Sequence, residues 1–270
     1  MWNPDPVLFT AGGMTVRWYG VMFATGLVLA AWYVWRRFRR KGYPQGYFDA
    51  LMVLSFVLMF LGARLCHCLF YEPGYYLSHP VEMVFPVKRV AGEWTFTGFY
   101  GLASHGGAAG LVCAVLLLKW WKGAPALEVM DDMAIATPLA GGFIRTGNLI
   151  NSEIVGGVTD VPWAFVFEAY DPLPRHPAQI YEGAFYLLLF AVMATVCRRR
   201  GYGKVKPGFY MGIVFIAIGV FRFAIEFFKE VQAGFERELA LNMGQWLSVP
   251  FIAAGVLLLV FTQRREVKKG

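Results

Sequence analysis

The chain has 270 residues, 57% of them apolar and 17% aromatic but only 16% charged, and its mean hydropathy is +0.49. That balance excludes a soluble enzyme and describes a polytopic membrane protein. The formal charge of +7 does not point to nucleic acid, because the basic residues gather in alternate connections between apolar stretches, where they act as topology signals and contact anionic lipid.

Hydropathy divides the chain into about seven predicted spans within a single all-α integral-membrane domain, residues 1–270. The first, Thr15–Trp35, opens on Trp18-Tyr19-Gly20 and carries its basic cluster, Arg36 to Lys41, behind it. That is the reverse of a cleavable signal peptide, so the segment is expected to be retained. The second, Phe48–Phe70, has Arg64 near its outer end and contains Cys66-His67-Cys68. This triplet is too cramped for a zinc pair and has no second pair, so no metal is expected. The connection from Tyr71 to Tyr100, with Pro80, Pro86 and Gly92, reads as a loop with short strand or helical pieces.

The third span, Gly101–Leu118, contains Ser104-His105-Gly106-Gly107 near its start, and Gly106 and Gly110 give it a small face for close helix approach. The fourth, Ala126–Leu149, runs into Arg145-Thr146-Gly147-Asn148-Leu149-Ile150-Asn151-Ser152-Glu153. In the connection from Asn151 to Arg175, Trp163 to Phe167 reads as a strand, and with 71–100 this connection forms a predicted small cap outside the membrane. The remaining spans are Pro177–Val196, Gly208–Phe228 and Leu241–Thr262, with a short charged connection from Lys229 to Ala240. Basic clusters at Arg36–Lys41, Lys119 and Lys122, Arg198–Lys206 and Arg264–Lys269 place the N-terminus outside and the C-terminus in the cytoplasm.

With that topology the unusual polar residues of six spans fall at one outer level. An arginine near bilayer depth costs ~2.5–3.5 kcal/mol, which makes it a hypothesis about a partner anion, and the abundant anion in a membrane is lipid phosphate. Arg145, Asn148 and Asn151 are three apart and share a helix face, as do His176, Gln179 and Glu182. Arg145 has no acid three or four residues away, which favours an external anion. Arg222 and Glu226, four apart, either neutralise each other or leave Arg222 to phosphate. His105 suits a general base near neutral pH, or is a satisfied structural group. His176, between Arg175 and Pro177, reads as a helix-start anchor. No Gly-x-Ser-x-Gly, His-Glu-x-x-His or P-loop motif occurs, so a chemistry needing only an anion clamp and a base fits better, with the nucleophile supplied by a substrate. A lipid or peptide transporter and a lipid-binding scaffold are the competing classes, although no internal repeat is visible.

These blocks resemble the prolipoprotein diacylglyceryl transferases of bacterial inner membranes along nearly the whole chain. The family signature Gly-Arg-x-Gly-Asn-x-x-Asn-x-Glu-x-x-Gly is similar to Arg145 through Gly156, although Ile144 stands where the first Gly is usual. Supporting blocks are Trp18-Tyr19-Gly20, Ser104-His105-Gly106-Gly107, Arg175 to Glu182, Phe221-Arg222-Phe223 with Glu226, and Met243-Gly244-Gln245. Lys229-Glu230-Val231-Gln232 replaces a basic residue followed by Pro-Asp, in what reads as an outer loop.

The resemblance implies transfer of diacylglyceryl from phosphatidylglycerol to the lipobox cysteine of preprolipoprotein signal peptides. This is the first step of lipoprotein maturation, needs no cofactor, and occurs at the periplasmic side of the inner membrane among membrane lipids. Arg145 and Arg222 would then hold the phosphate and His105 would take the thiol proton. Asn148, Asn151 and Glu153 would orient the headgroup or the arginines, Tyr19 and Gln179 would line the cavity, and Gly156 and Glu226 would complete the substrate-binding set.

Overall fold

A computed structural model describes residues 1–70, 72–85, 87–90, 93–96, 103–201, 204–230 and 241–267. Pro86, Gly92, Gly101, residues 231–240, and Lys268 and Lys269 lie outside the described residues, as do the side chains of Ser104, His105, Met243, Arg264 and Arg265. The chain divides into two compact units, residues 1–41 with 131–270, and residues 42–130.

The first unit begins with a hairpin that the hydropathy pattern does not reveal. Strand β1 (Val7–Ala11) pairs antiparallel with β2 (Met14–Arg17). Ala11 faces Met14, so Gly12-Gly13 alone make the turn, at φ +57° and +81°. Positive φ at both central residues suits the right-handed strand twist and is cheap only for glycine or a few small polar residues. Helix α1 (Trp18–Lys41) therefore starts at Trp18 rather than at the predicted Thr15, because residues 14–17 are spent in the strand.

Helix α2 (Gln45–Phe70), the short helices α3 (Pro73–Tyr76) and α4 (Pro80–Val84), the hairpin β3 (Val87–Val90) with β4 (Glu93–Phe96), and α5 (Ser104–Lys122) form the second unit. The connection between α2 and α5 thus holds the short helical and strand pieces expected of it. The Gly106–Gly110 face works as predicted. A Cβ on either residue would run into α2 backbone, at the Gly62 and Leu58 carbonyls respectively, so only glycine lets α2 and α5 approach this closely. Arg64 is engaged locally, its Nη2 donating to the Glu82 carbonyl at 2.7 Å with its guanidinium 4.8 Å from the Tyr76 ring centroid. It anchors the α3–α4 segment to α2.

The chain continues as α6 (Ala126–Ile150), the two-residue strands β5 (Phe165–Val166) and β6 (Pro174–Arg175), α7 (Ala178–Arg200), α8 (Phe209–Ile225) with a 3-10 turn at Glu226–Phe228, and α9 (Met243–Val267). The strand predicted over Trp163 to Phe167 shrinks to its middle. Helices α1, α2, α7 and α9 and the stretch Phe209–Phe228 are each long and apolar enough to cross a membrane. A helix of 24 residues rises about 36 Å, against a hydrocarbon core of roughly 30 Å.

Helix α6 carries Glu128, Asp131, Asp132 and Arg145 and falls short of that measure, yet its carboxylates are answered by protein. Asp132, fully buried, receives Arg37 Nε and Lys41 Nζ, each at 2.7 Å. Asp131 accepts the backbone N–H groups of Gly208 (2.8 Å) and Met211 (2.7 Å), which are otherwise unpaired donors at the start of α8. Ile135, Leu189, Met193, Tyr210 and Val214 then close a core among α6, α7 and α8.

Candidate active site

Two backbone features assemble the site. The first is close packing of α6 on α7. A Cβ on Gly142 would come within 2.6 Å of the Leu187 side chain, and one on Gly183 would lie 3.5 Å from Arg145 Cβ. The missing side chains draw the helices together just where Arg145 and Glu182 leave them.

The second is the end of α6. Ser152 N–H donates to the Leu149 carbonyl (3.1 Å) and Glu153 N–H to the Asn148 carbonyl (2.9 Å), with Ser152 at φ 55°. This is a Schellman cap in which serine holds the left-handed position usually given to glycine. Ile154 follows at φ 57°, an outlier for a β-branched residue. The reversal folds Glu153 back over the helix face it would otherwise leave. Its Oε2 accepts from Asn148 Nδ2 (3.2 Å) and its Oε1 from Asn151 Nδ2 (3.1 Å).

Around this end runs a chain of alternating charges. Arg145 donates through Nη1 to Asn148 Oδ1 (3.0 Å) and pairs through Nε with Glu182. Glu182 Oε1 lies 3.2 Å from Lys229 Nζ, which in turn sits 3.6 Å from Glu226 Oε2. Glu182 is 1% exposed and the Lys229 side chain 5%, so these charges must neutralise one another. One sequence expectation is thereby corrected, and one of two open alternatives is removed. Arg145 does have an acid partner, supplied by another helix and so invisible to i±3 or i±4 counting. Glu226 pairs with Lys229, not with Arg222.

Lys229 itself, read as an outer-loop residue, lies within the buried charge chain. The signal that could have found it was its own spacing, three residues after Glu226. Arg222 has no carboxylate within ion-pair distance among the described residues, and its neighbour is the hydroxyl of Tyr186.

Gln179, 1% exposed, donates through Nε2 to the Glu153 carbonyl at 2.6 Å. Its Oε1 and the Oδ1 of Asn151 are buried without a donor among the described residues. Tyr19 packs on the bare face of Gly147, where a Cβ would come within 2.9 Å of its ring. Gly156 lies between the His176 and Phe228 carbonyls, and its amide donates to His176 at 3.0 Å. Its carbonyl accepts from Arg175 Nη1 at 3.1 Å. The predicted residues Tyr19, Arg145, Asn148, Asn151, Glu153, Gly156, Gln179, Arg222 and Glu226 therefore all belong to the first unit. His105 is in the first turn of α5, in the second unit.

Beside the site, Arg175 ties the connection between α6 and α7 to the segment that follows α8. It pairs with Asp171 and, through Nη1, with Glu230 Oε2 at 2.7 Å. The guanidinium holds the Asp171 carboxyl below its ordinary range, and the Glu230 carboxylate, accepting from Tyr170, pushes that phenol up. His176 serves as the anchor expected of it, with Nδ1 3.2 Å from the Tyr181 hydroxyl and its ring edge-on to Phe228. Trp2 reaches over from the N-terminus to donate its indole N–H to the Leu149 carbonyl at 2.9 Å, satisfying an end-of-helix acceptor.

Comparison with known proteins finds relatives along nearly the whole chain. A family model described as prolipoprotein diacylglyceryl transferase matches residues 6–261. A phosphatidylglycerol–prolipoprotein diacylglyceryl transferase of Bacteroides fragilis is 46% identical over 269 residues, covering 99% of this chain and 97% of the relative. Similarly named relatives from Tolumonas auensis (40% identical, 99% of each chain) and Chloroherpeton thalassium (39% identical, 96% and 92%) extend the match. The chain belongs to the prolipoprotein diacylglyceryl transferase family.

Proposed function

We propose that the protein transfers the diacylglyceryl group of phosphatidylglycerol to the thiol of a lipobox cysteine in a preprolipoprotein. The observation that carries this reading is Arg222, a guanidinium beside a self-neutralised charge chain with no carboxylate of its own among the described residues. A cation held this way has a place for one external anion, and a lipid phosphate supplies it.

In the reaction the sulfur–carbon bond of a thioether forms as the glyceryl carbon–oxygen bond to phosphate breaks. Glycerol phosphate leaves with the electron pair. Its growing negative charge is met by Arg222 and by the Nη face of Arg145, fixed in place by Glu182 and Asn148, so stabilisation is greatest in the transition state. Asn151 and Gln179, each with a buried amide oxygen to spare, accept hydroxyl donors of the glycerol headgroup. Glu153 and Tyr19 wall the same site, Gly156 lets Lys229 close against Glu182, and Glu226 balances Lys229. His105 takes the thiol proton, since the thiolate is the competent nucleophile.

Seven spans, the N-terminus outside and the site at the periplasmic level of a bacterial inner membrane complete the proposal. Basic last turns on α1, α5 and α7 support that orientation. Incubating the purified protein with phosphatidylglycerol and a lipobox peptide should give a diacylglyceryl adduct on cysteine by mass spectrometry, and His105→Gln should abolish it. Lipid moved across vesicles with no adduct would make the protein a transporter. Full transfer by His105→Gln would remove the base assignment.

A further inference from the structure

At the end of the first unit opposite the transfer site, the same two helices that carry Tyr19 and Glu182 flank an open cationic cavity. Its volume is about 320 Å³, and Trp32, Arg36, Arg37 and Arg40 of α1 with Ala194, Thr195 and Arg198 of α7 line it. Arg36 and Arg198 have no carboxylate partner among the described residues, and the Arg36 guanidinium lies 5.4 Å from the Trp32 ring centroid. Arg37 is steered by Asp132, which fixes one wall in place.

Arg36 follows Tyr19 by seventeen residues of continuous helix, so the cavity lies about 25 Å from the transfer site along α1. The two sites therefore sit near opposite faces of a hydrocarbon core roughly 30 Å thick. Beyond the lining, the flanking faces of the two helices turn apolar. Val28 is exposed one turn before Trp32 on the same face of α1, while Leu188 and Val192 are exposed along the α7 row that leads to Thr195. A charged recess continued by apolar rows has the form of a headgroup with acyl chains, and a soluble anion would have no use for those rows.

We propose that this cavity is a binding site for an intact anionic glycerophospholipid of the leaflet opposite the transfer site. The phosphodiester is forked by Arg36 and Arg198, the headgroup rests on Trp32, and the acyl chains run along Val28 and Val192. Forked guanidinium bonds to phosphate oxygens favour an anionic lipid, and a cavity of this size accepts a phosphoglycerol head. The site takes no part in the transfer chemistry.

Lipid binding to the full-length protein in detergent, titrated with phosphatidylglycerol and read by native mass spectrometry, tests the proposal. Arg36→Gln with Arg198→Gln should weaken one bound lipid about 30-fold, each basic group at a membrane surface contributing roughly a factor of five. Ala194→Phe keeps every arginine but fills the cavity, and should lose the same lipid. Both variants should elute as folded protein and retain transfer to a lipobox peptide within about twofold. Arg145→Gln should leave this lipid in place, which separates the cavity from the transfer site whether or not any adduct forms. Wild-type lipid binding by Ala194→Phe would overturn the cavity, as would unchanged binding by the double variant. Displacement of the lipid by millimolar inorganic phosphate would mark a soluble-anion site and overturn the lipid assignment.

Discussion

Glu182→Gln removes the carboxylate that Arg145 and Lys229 share. Lys229 Nζ lies 3.2 Å from Glu182 Oε1, with side-chain exposures of 5% and 1%. At an effective dielectric of 20 such a contact is worth about 5 kcal/mol, and leaving its partner charge buried and unpaired typically costs about 3–5 kcal/mol net. In a chain of this length that corresponds to a melting point lower by about 6–12 °C even at the lower bound. Thermal unfolding of the detergent-solubilised protein, followed by tryptophan fluorescence, should show this drop for Glu182→Gln and a comparable one for Lys229→Met. The double variant should be less destabilised than the sum, because each change removes the charge the other leaves stranded. Transfer activity should fall with Glu182→Gln at temperatures where the fold survives, since Arg145 loses its orienting partner. A single variant that melts with the wild type, or strict additivity in the double, would refute the argument that these charges neutralise one another.

Arg145→Lys should lower kcat/KM for diacylglyceryl transfer by about 10- to 100-fold with the melting point little changed, because an ammonium cannot hold Glu182 and Asn148 and still present a forked face to phosphate; equal activity would show that charge alone suffices. Ser152→Gly should stabilise the protein by up to about 1 kcal/mol and Ser152→Val should destabilise it by about 1–2 kcal/mol, as the left-handed cap demands. Matching melting curves for the two would rule out that cap. Gly110→Leu should unfold or aggregate the protein, its side chain driven into the Leu58 backbone, and a well-behaved variant in gel filtration would contradict the close α2–α5 approach. Asp171 titrates below the ordinary carboxylate range because of Arg175. Its stabilising contribution is therefore complete above a pH of about 4 and fades as pH falls through its lowered folded value. Asp171→Asn should flatten that acid limb of melting point against pH, and an unaltered limb would assign it to other carboxylates.

Much of the molecule was legible in the sequence because the signals involved are local. Apolar length marks helices that must satisfy their own backbone in lipid, a Gly-x-x-x-Gly spacing marks a close face, and three-residue spacing puts Arg145, Asn148 and Asn151 on one side of a helix. The hairpin at Gly12-Gly13 was equally local, and hydropathy passed over it because that measure is blind to turn chemistry. Other features depend on pairs distant in the chain. Which acid answers Arg145, where Lys229 points and which of Arg222 and Glu226 keeps its charge free were settled by helix contact at Gly142 and Gly183 and by the reversed turn at Ser152.

The sequence by itself thus determined the membrane class, the helices and the identity of the polar residues, since each is a property of a single segment in its solvent. Only the tertiary structure decided which charges neutralise each other. Coulomb energy between buried groups depends on separations of a few ångströms, and those are fixed by packing between segments.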